Sequence, residues 1–163
     1  MDSIQQKVTA VLDSMNIDYE IIEHPAVYTV EDIDRLNLPQ KESIVKNLFI
    51  RDDKKREYFL VILQKDKSAN LKKTQKALHC RRLSFASEED LTKYLGVSKG
   101  SVTPFGILND TERKVTVVID QDILCFEQVG VHPNENTATV LLKPQDLEKV
   151  IRTHGNELLH IKM

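Results

Sequence analysis

Ile44-Val45-Lys46-Asn47-Leu48-Phe49-Ile50-Arg51, followed after a charged segment at 52–57 by Tyr58-Phe59-Leu60-Val61-Ile62-Leu63-Gln64, is the stretch on which the reading of the fold turns. Both runs are short, apolar and rich in β-branched and aromatic residues. The polar residues between them suit a reversing loop, so the pair predicts a β-hairpin. A lysine and an asparagine interrupt the first run. A buried ammonium is costly unless a partner or an anionic ligand meets it, which makes Lys46 a candidate for chemistry. Strand alternation groups Lys46 with Ile44, Leu48 and Ile50, and Asn47 with Val45 and Phe49, so the two side chains should point to opposite faces. Two outcomes stay open from the strand alone. Lys46 lies on an exposed face with its stem snorkelling, or it lines a cleft in which an anion offsets its desolvation.

Working outward, Ile4, Val8, Val11, Leu12 and Met15 recur at helical spacing and predict an amphipathic helix over 3–16. Residues 19–23 read as a strand that runs into His24-Pro25, and Thr29 with Asp32 three positions on marks the start of a short helix before a loop at Pro39. A helix is expected over 70–79. Ser87-Glu88-Glu89-Asp90 opens another, which ends near Gly96, where glycine can take the left-handed cap conformation. Gly100-Ser101-Val102-Thr103-Pro104-Phe105-Gly106 is dense in turn formers and reads as a shaped loop. Strands are expected over 115–119, 125–131 and 137–142. A final helix should begin at Pro144 and stop at Gly155. Strands interspersed with helices, some joined as hairpins, give an α+β fold: a mixed, mostly antiparallel central sheet flanked by helices.

The chain has 163 residues, which fits a single domain spanning 1–163. Cys80 and Cys125 are its two cysteines, with no metal-ligand or CxxC spacing, and no secretory signal opens the sequence. Together these favour a reducing, cytoplasmic setting. No apolar stretch approaches the roughly 20 residues a membrane span requires. A formal net charge of −2 argues against a protein that coats nucleic acid. The charge is uneven, however. Lys65, Lys67, Lys72, Lys73, Lys76, Arg81 and Arg82 crowd one segment, with Asp66 its only acid. They form either a solvated face or a positive patch for a phosphate-bearing partner.

Histidine, cysteine and serine offer little conventional chemistry. His24 and His132 each precede a proline, which holds them extended at the rim of the sheet; His79, His154 and His160 sit near element ends, where capping or solvation accounts for them. GxSxG, HExxH, P-loop and GxGxxG patterns are absent, so neither an activated nucleophile nor a metal or nucleotide cofactor is expected. A hydrolase built from these residues relies on positioning, hydrogen-bond donors and a bound water.

Five stretches, in order, resemble one family. They are His24-Pro25-Ala26-Val27-Tyr28-Thr29-Val30-Glu31-Asp32, Lys46-Asn47-Leu48-Phe49-Ile50, Arg82-Leu83-Ser84-Phe85, the glycine-flanked loop at 100–106, and Gly130-Val131-His132-Pro133-Asn134-Glu135-Asn136-Thr137-Ala138-Thr139. The chain is similar to the YbaK-like aminoacyl-tRNA editing domains. Within them it most resembles the free-standing prolyl-tRNA editing proteins (ProXp-ala or PrdX), relatives of the insertion domain of bacterial prolyl-tRNA synthetases.

The resemblance implies a deacylase that cleaves the ester of alanine mischarged onto proline tRNA. It implies catalytic roles for Lys46, as an electrostatic clamp, and for Asn47, which holds the aminoacyl end and water through its side chain or backbone. It implies a substrate-binding set of His24, Pro25, Tyr28, Thr29, Arg82, Ser101, His132 and Thr137, with Tyr28 stacking on the terminal base. The patch of Lys65, Lys67, Lys72, Lys73, Lys76 and Arg81 would steer the acceptor stem. The implied partners are the aminoacylated end of tRNA(Pro) and a prolyl-tRNA synthetase or elongation factor; no cofactor, metal, DNA or membrane is implied. Two other readings stand beside this one: a deacylase of a Cys-, Ser- or Thr-esterified tRNA, and a non-catalytic module that binds aminoacyl-tRNA.

Overall fold

The computed structural model describes residues 3–38 and 41–163, with side chains from Gln5 onward; the loop expected at Pro39 and the side chain of Ile4 lie outside the described residues. In chain order the elements are α1 (Ser3–Ser14), β1 (Tyr19–Glu23), α2 (Val30–Arg35), β2 (Val45–Asp52), β3 (Tyr58–Gln64), α3 (Leu71–Leu78), β4 (Leu83–Phe85), α4 (Glu88–Asp90), β5 (Val115–Asp120), β6 (Val129–Val131), β7 (Ala138–Leu142), α5 (Pro144–His154) and β8 (Leu158–Ile161). A wider, π-type turn, Leu91–Leu95, extends α4 and ends at Gly96, whose φ of 64° is the left-handed cap expected there.

The hairpin forms as its sequence predicts. β2 and β3 pair antiparallel from Val45↔Gln64 to Arg51↔Tyr58. Its loop closes on Asp52, whose Oδ1 accepts the backbone N–H of Arg56 at 2.7 Å and of Glu57 at 3.1 Å. Burial raises the Asp52 pKa, but the N–H groups of Glu57, Arg56 and Lys54 outweigh it and leave the carboxyl below its ordinary value.

The architecture is the expected α+β arrangement, with the strands divided between two sheets. One is mixed, in the order β4-β2-β3-β5-β8; the other is antiparallel, in the order β1-β7-β6. β3 lies between β2 and the parallel β5, which explains its unbroken apolar run: a central strand is covered on both faces. On one face Val45, Phe49, Leu60 and Ile62 pack with Val117 and Ile119 against the second sheet, α1 and α5. On the other, Ile50, Phe59, Val61 and Leu63 meet Leu71 and Leu78 of α3. The alternation read from β2 therefore holds in the packing. A single parallel bridge, Ile44↔Gly130, ties the start of β2 to β6. A Cβ at Gly130 would stand 2.9 Å from Ile44 Cγ1, so this contact depends on glycine.

Three elements differ from expectation. Of the strand expected over 125–131, only β6 is formed; Cys125 ends a 3-10 turn, Gln121–Cys125, whose start is capped by the Asp120 carboxylate and which buries Ile123, and residues 126–128 are irregular. β4 and β8 carry no strand signal of their own. They are short edge strands held by pairing with β2 and β5, a long-range contact that a local pattern does not encode.

Candidate functional site

The cleft of interest opens where the two sheets meet. β4 pairs with β2 only over Ile50–Asp52, and β6 meets it only through the bridge at Ile44, so among the described residues the stretch of β2 around Lys46 and Asn47 has an edge that no strand covers. Val27, Tyr28, Thr29, Val30 and Ile33 line one side of the cleft; Val45, Lys46 and Asn47 form its base; Lys99, Gly100, Val102 and His132 complete it, around a volume of about 130 Å³. Lys46 and Asn47 thus border one cleft although their side chains alternate. A strand end without a neighbour presents its edge as well as its faces, and this is the geometry that the alternation argument left out.

Each wall has a local cause. Thr29 is the N-cap of α2, its hydroxyl accepting the Asp32 N–H at 3.1 Å, and Asp32 in turn accepts the Tyr28 N–H at 3.0 Å. Asn136 clamps the segment before α2: its Nδ2 donates to the Val27 carbonyl at 2.9 Å, and its own carbonyl accepts the Val27 N–H at 3.1 Å. The loop at 100–106 is pinned by Thr103, which is fully buried and donates its hydroxyl to the His132 carbonyl. Tyr28 is exposed and lies so close to Gly100 that a Cβ there would meet the ring at 2.6 Å.

Three polar groups define the chemistry. The Oδ1 of Asn47 is buried with no hydrogen-bond partner among the described residues, an unpaired acceptor that a ligand donor or water would satisfy. Lys46 is half-buried, and its charge reaches Asp66; that carboxyl is held below its ordinary value first by Gln64 and Lys65, with Lys46 a lesser contributor. His132 donates Nδ1–H to the Ala138 carbonyl at 3.1 Å, which leaves Nε2 as the acceptor of a neutral ring. Burial lowers its pKa, outweighing that hydrogen bond, and His24 lowers it further. The His24 ring, 6.4 Å away, is itself held between the Pro25 carbonyl and the Thr139 hydroxyl.

The His132 shift has a measurable sign. The unfolded imidazole, near pH 6.5, takes up a proton that the folded one refuses, so stability falls as pH drops below about 6.5. Proton-detected titration of the native protein should place His132 below 6.5, and His132→Gln should flatten the stability slope between pH 6.5 and 5. A native midpoint above 6.5 would remove the neutral ring from the site.

The remaining expected residues are dispersed. His24 stands behind His132, and Pro25 is exposed at the rim. Ser101 is buried and Thr137 is exposed, bonded to Glu135; neither lines the cleft. Arg82 lies apart from the cleft, in a groove of about 650 Å³ that it shares with Lys72 and Lys76 of α3. The basic segment is therefore not one patch. Lys65 is buried and pairs with Asp34 and Asp66; Lys67 pairs with Asp120 and Asp122; Arg81 forms a two-pronged contact with Asp53. Acids distant in sequence fold back onto these three, and Lys72, Lys76 and Arg82 keep the open positive surface, while Lys73 borders a different hollow beside the C-terminus. Lys99 was not singled out by sequence. Its signal was its place immediately before the glycine-flanked loop, which sets it at the mouth of the cleft.

A small cleft with apolar walls, two lysines, a neutral imidazole and an unpaired amide oxygen is suited to hydrolysing an ester whose charge lies on a nucleotide. The model of the family described as the aminoacyl-tRNA editing domain matches residues 24–150, the span that contains the whole cleft, and the chain belongs to that family. It is an aminoacyl-tRNA deacylase. Over 159 residues it is 45% identical to the prolyl-tRNA editing protein ProX of Acetoanaerobium sticklandii, covering 98% of this chain and 97% of that one. It is 35% identical over 146 residues to the prolyl-tRNA synthetase associated domain-containing protein 1 of Danio rerio, covering 88% and 79%. A solved structure described provisionally as a trans-editing enzyme for prolyl tRNA synthetase superposes with a TM-score of 0.76 at 19% identity, covering 100% of this chain and 99% of that one, a likeness of fold. Among the described residues no helix is long and apolar enough to cross a membrane.

Proposed function

We propose that the chain, acting as one editing unit, deacylates Ala-tRNA(Pro) in trans and so removes alanine mischarged onto proline tRNA. The observation that carries this reading is the size and lining of the cleft: about 130 Å³, walled by Val27, Ile33, Val45 and Val102, with cations but no carboxylate at its border. A methyl side chain suits those walls. A synthetase pocket shaped for proline rejects the smaller alanine poorly, since a missing methylene is worth only about 1–3 kcal/mol, and a second site that admits the smaller residue supplies the rest. The 45% identity to a prolyl-tRNA editing protein over nearly the whole chain supports the proline tRNA.

The cleft border has no carboxylate to act as base, so the substrate's own hydroxyl takes that part. A water, held by the free ribose hydroxyl and the Asn47 Oδ1, adds to the ester carbonyl carbon. Lys46 and backbone N–H groups of the uncovered β2 edge take the negative charge that develops on the carbonyl oxygen. The intermediate collapses with cleavage of the bond between the carbonyl carbon and the ribose oxygen, the proton given up by the water passes through the free ribose hydroxyl to that departing oxygen, and alanine and uncharged tRNA are released. Lys72, Lys76 and Arg82 attract the acceptor stem from their separate groove, with an affinity that falls as salt rises.

Deacylation of tRNA(Pro) carrying alanine or proline, and of tRNAs carrying cysteine, serine or threonine, tests the assignment. The alanyl ester should be cleared at least about tenfold faster than any of the others. Faster clearance of a cysteinyl, seryl or threonyl ester would replace alanine as the substrate while leaving the reaction in place.

A further inference from the structure

Beside the cleft lies a second, larger groove, of about 570 Å³, that the reaction just described does not use. Asn47, Lys99 and Val102 border both hollows, so the two lie side by side. The far wall of the second groove is Phe85, Ala86, Ser87 and Glu88, at the end of β4 and the start of α4. Phe85 is 60% exposed, one of two large hydrophobic side chains left in solvent among the described residues; the other, Tyr28, lines the cleft and is 71% exposed. Lys99 also borders a third hollow, beneath Tyr28, and among the described residues it has no ion-pair partner.

We propose that this groove seats the unpaired nucleotide that precedes the esterified adenosine, with Phe85 as the face on which its base stacks and Lys99 meeting the phosphate that joins the two nucleotides. The inference rests on the deacylase reading, because the position of the ester in the cleft sets the direction of the strand. Its occupant follows from the chemistry of the walls. An exposed aromatic ring beside an unpaired cation is the combination that binds single-stranded nucleic acid, the ring taking the base and the cation the phosphate. Glu88 stands with Phe85 in the far wall, and its carboxylate accepts from an exocyclic base amine, such as the N4 amine of cytosine, so the base lies toward α4. The path then continues along β4. Arg82 precedes Phe85 by three residues, roughly 10 Å of extended chain, which brings the strand to the basic groove of Lys72, Lys76 and Arg82.

The test compares two substrates and one ligand. Phe85→Ala, whose parent side chain is mostly in solvent, should raise KM about tenfold on alanyl-tRNA and leave kcat/KM on 3′-O-alanyl-adenosine unchanged, because that substrate lacks the preceding nucleotide. Phe85→Trp should restore KM, and Lys99→Ala should weaken the tRNA substrate more than the adenosine ester. An equal loss on both substrates, or an unchanged KM on tRNA, overturns the proposal. Calorimetric binding of the trinucleotide cytidylyl-cytidylyl-adenosine supplies a readout independent of turnover. Wild type should bind it at least about tenfold more tightly than adenosine, and Phe85→Ala should lose that advantage. Equal binding of trinucleotide and adenosine sinks the subsite even if the esters are hydrolysed. Trinucleotide binding that depends on Phe85, in a protein that hydrolyses neither ester, would retain the subsite and fault the reaction instead.

Discussion

Lys46→Ala should lower deacylation of alanyl-tRNA by about a hundredfold or more and leave the melting temperature within a few degrees of wild type. The expectation follows from what else borders the cleft. No carboxylate is there to generate a nucleophile, and the neutral His132 places no positive charge beside the ester. The negative charge that forms on the carbonyl oxygen is then left to Lys46 and backbone N–H groups. Removing one donor from such a set costs about 10²–10³ in rate. Stability is spared because Lys46 is half-buried and forms no ion pair with a buried carboxylate among the described residues. Lys46→Arg is the sharper control. A planar guanidinium keeps the charge but not the compact ammonium, so activity should recover only in part. Undiminished turnover in the alanine variant would remove Lys46 from the reaction.

The largest effect on stability should come from Lys67, a residue first read as part of a tRNA-binding patch. Its ammonium lies 2.7 Å from Asp120 Oδ2 and 2.5 Å from Asp122 Oδ2, and Asp120 is completely buried. The other Asp120 oxygen accepts the N–H of Asp122 at 3.2 Å and of Met163 at 3.4 Å. One carboxylate therefore holds the end of β5, the following turn and the C-terminus, with Lys67 as its counter-charge. Lys67→Ala would leave that carboxylate buried without a cation, a change that costs about 3 kcal/mol. Urea unfolding should show the loss as a lower midpoint with an unchanged slope. The hydrogen bonds to Asp120 and Asp122 raise the lysine pKa above 10.5, so the contribution is complete below that pH and disappears only as pH rises through the folded value. Lys67→Ala combined with Asp120→Asn should recover part of the loss. A single variant as stable as wild type would return Lys67 to the surface patch.

These two lysines show where reading along the chain succeeds. Lys46 was conspicuous because it broke an apolar run, and a local conflict of that kind is visible without any partner. Lys67 sat in a basic segment and looked like its neighbours. Its fate was set by Asp120 and Asp122, more than fifty positions away. Lys65 and Arg81 likewise meet acids distant in sequence, Asp34 and Asp53, and Lys99 reaches the cleft through the loop that follows it.

The sequence by itself determined the β2–β3 hairpin, the α2 cap at Thr29, the left-handed stops at Gly96 and Gly155, the α5 start at Pro144 and the α+β class. Each depends on side-chain period or on a conformational preference acting within a few residues. Only the tertiary structure decided that the strands divide between two sheets, that β4 and β8 exist at all, that Lys65, Lys67 and Arg81 of the basic segment meet carboxylates, and that Lys46 and Asn47 share a border. Those outcomes depend on which distant backbone edge is left uncovered and which distant carboxylate arrives beside a cation. Short-range patterns carry no record of either, because pairing energies are settled when the chain closes on itself.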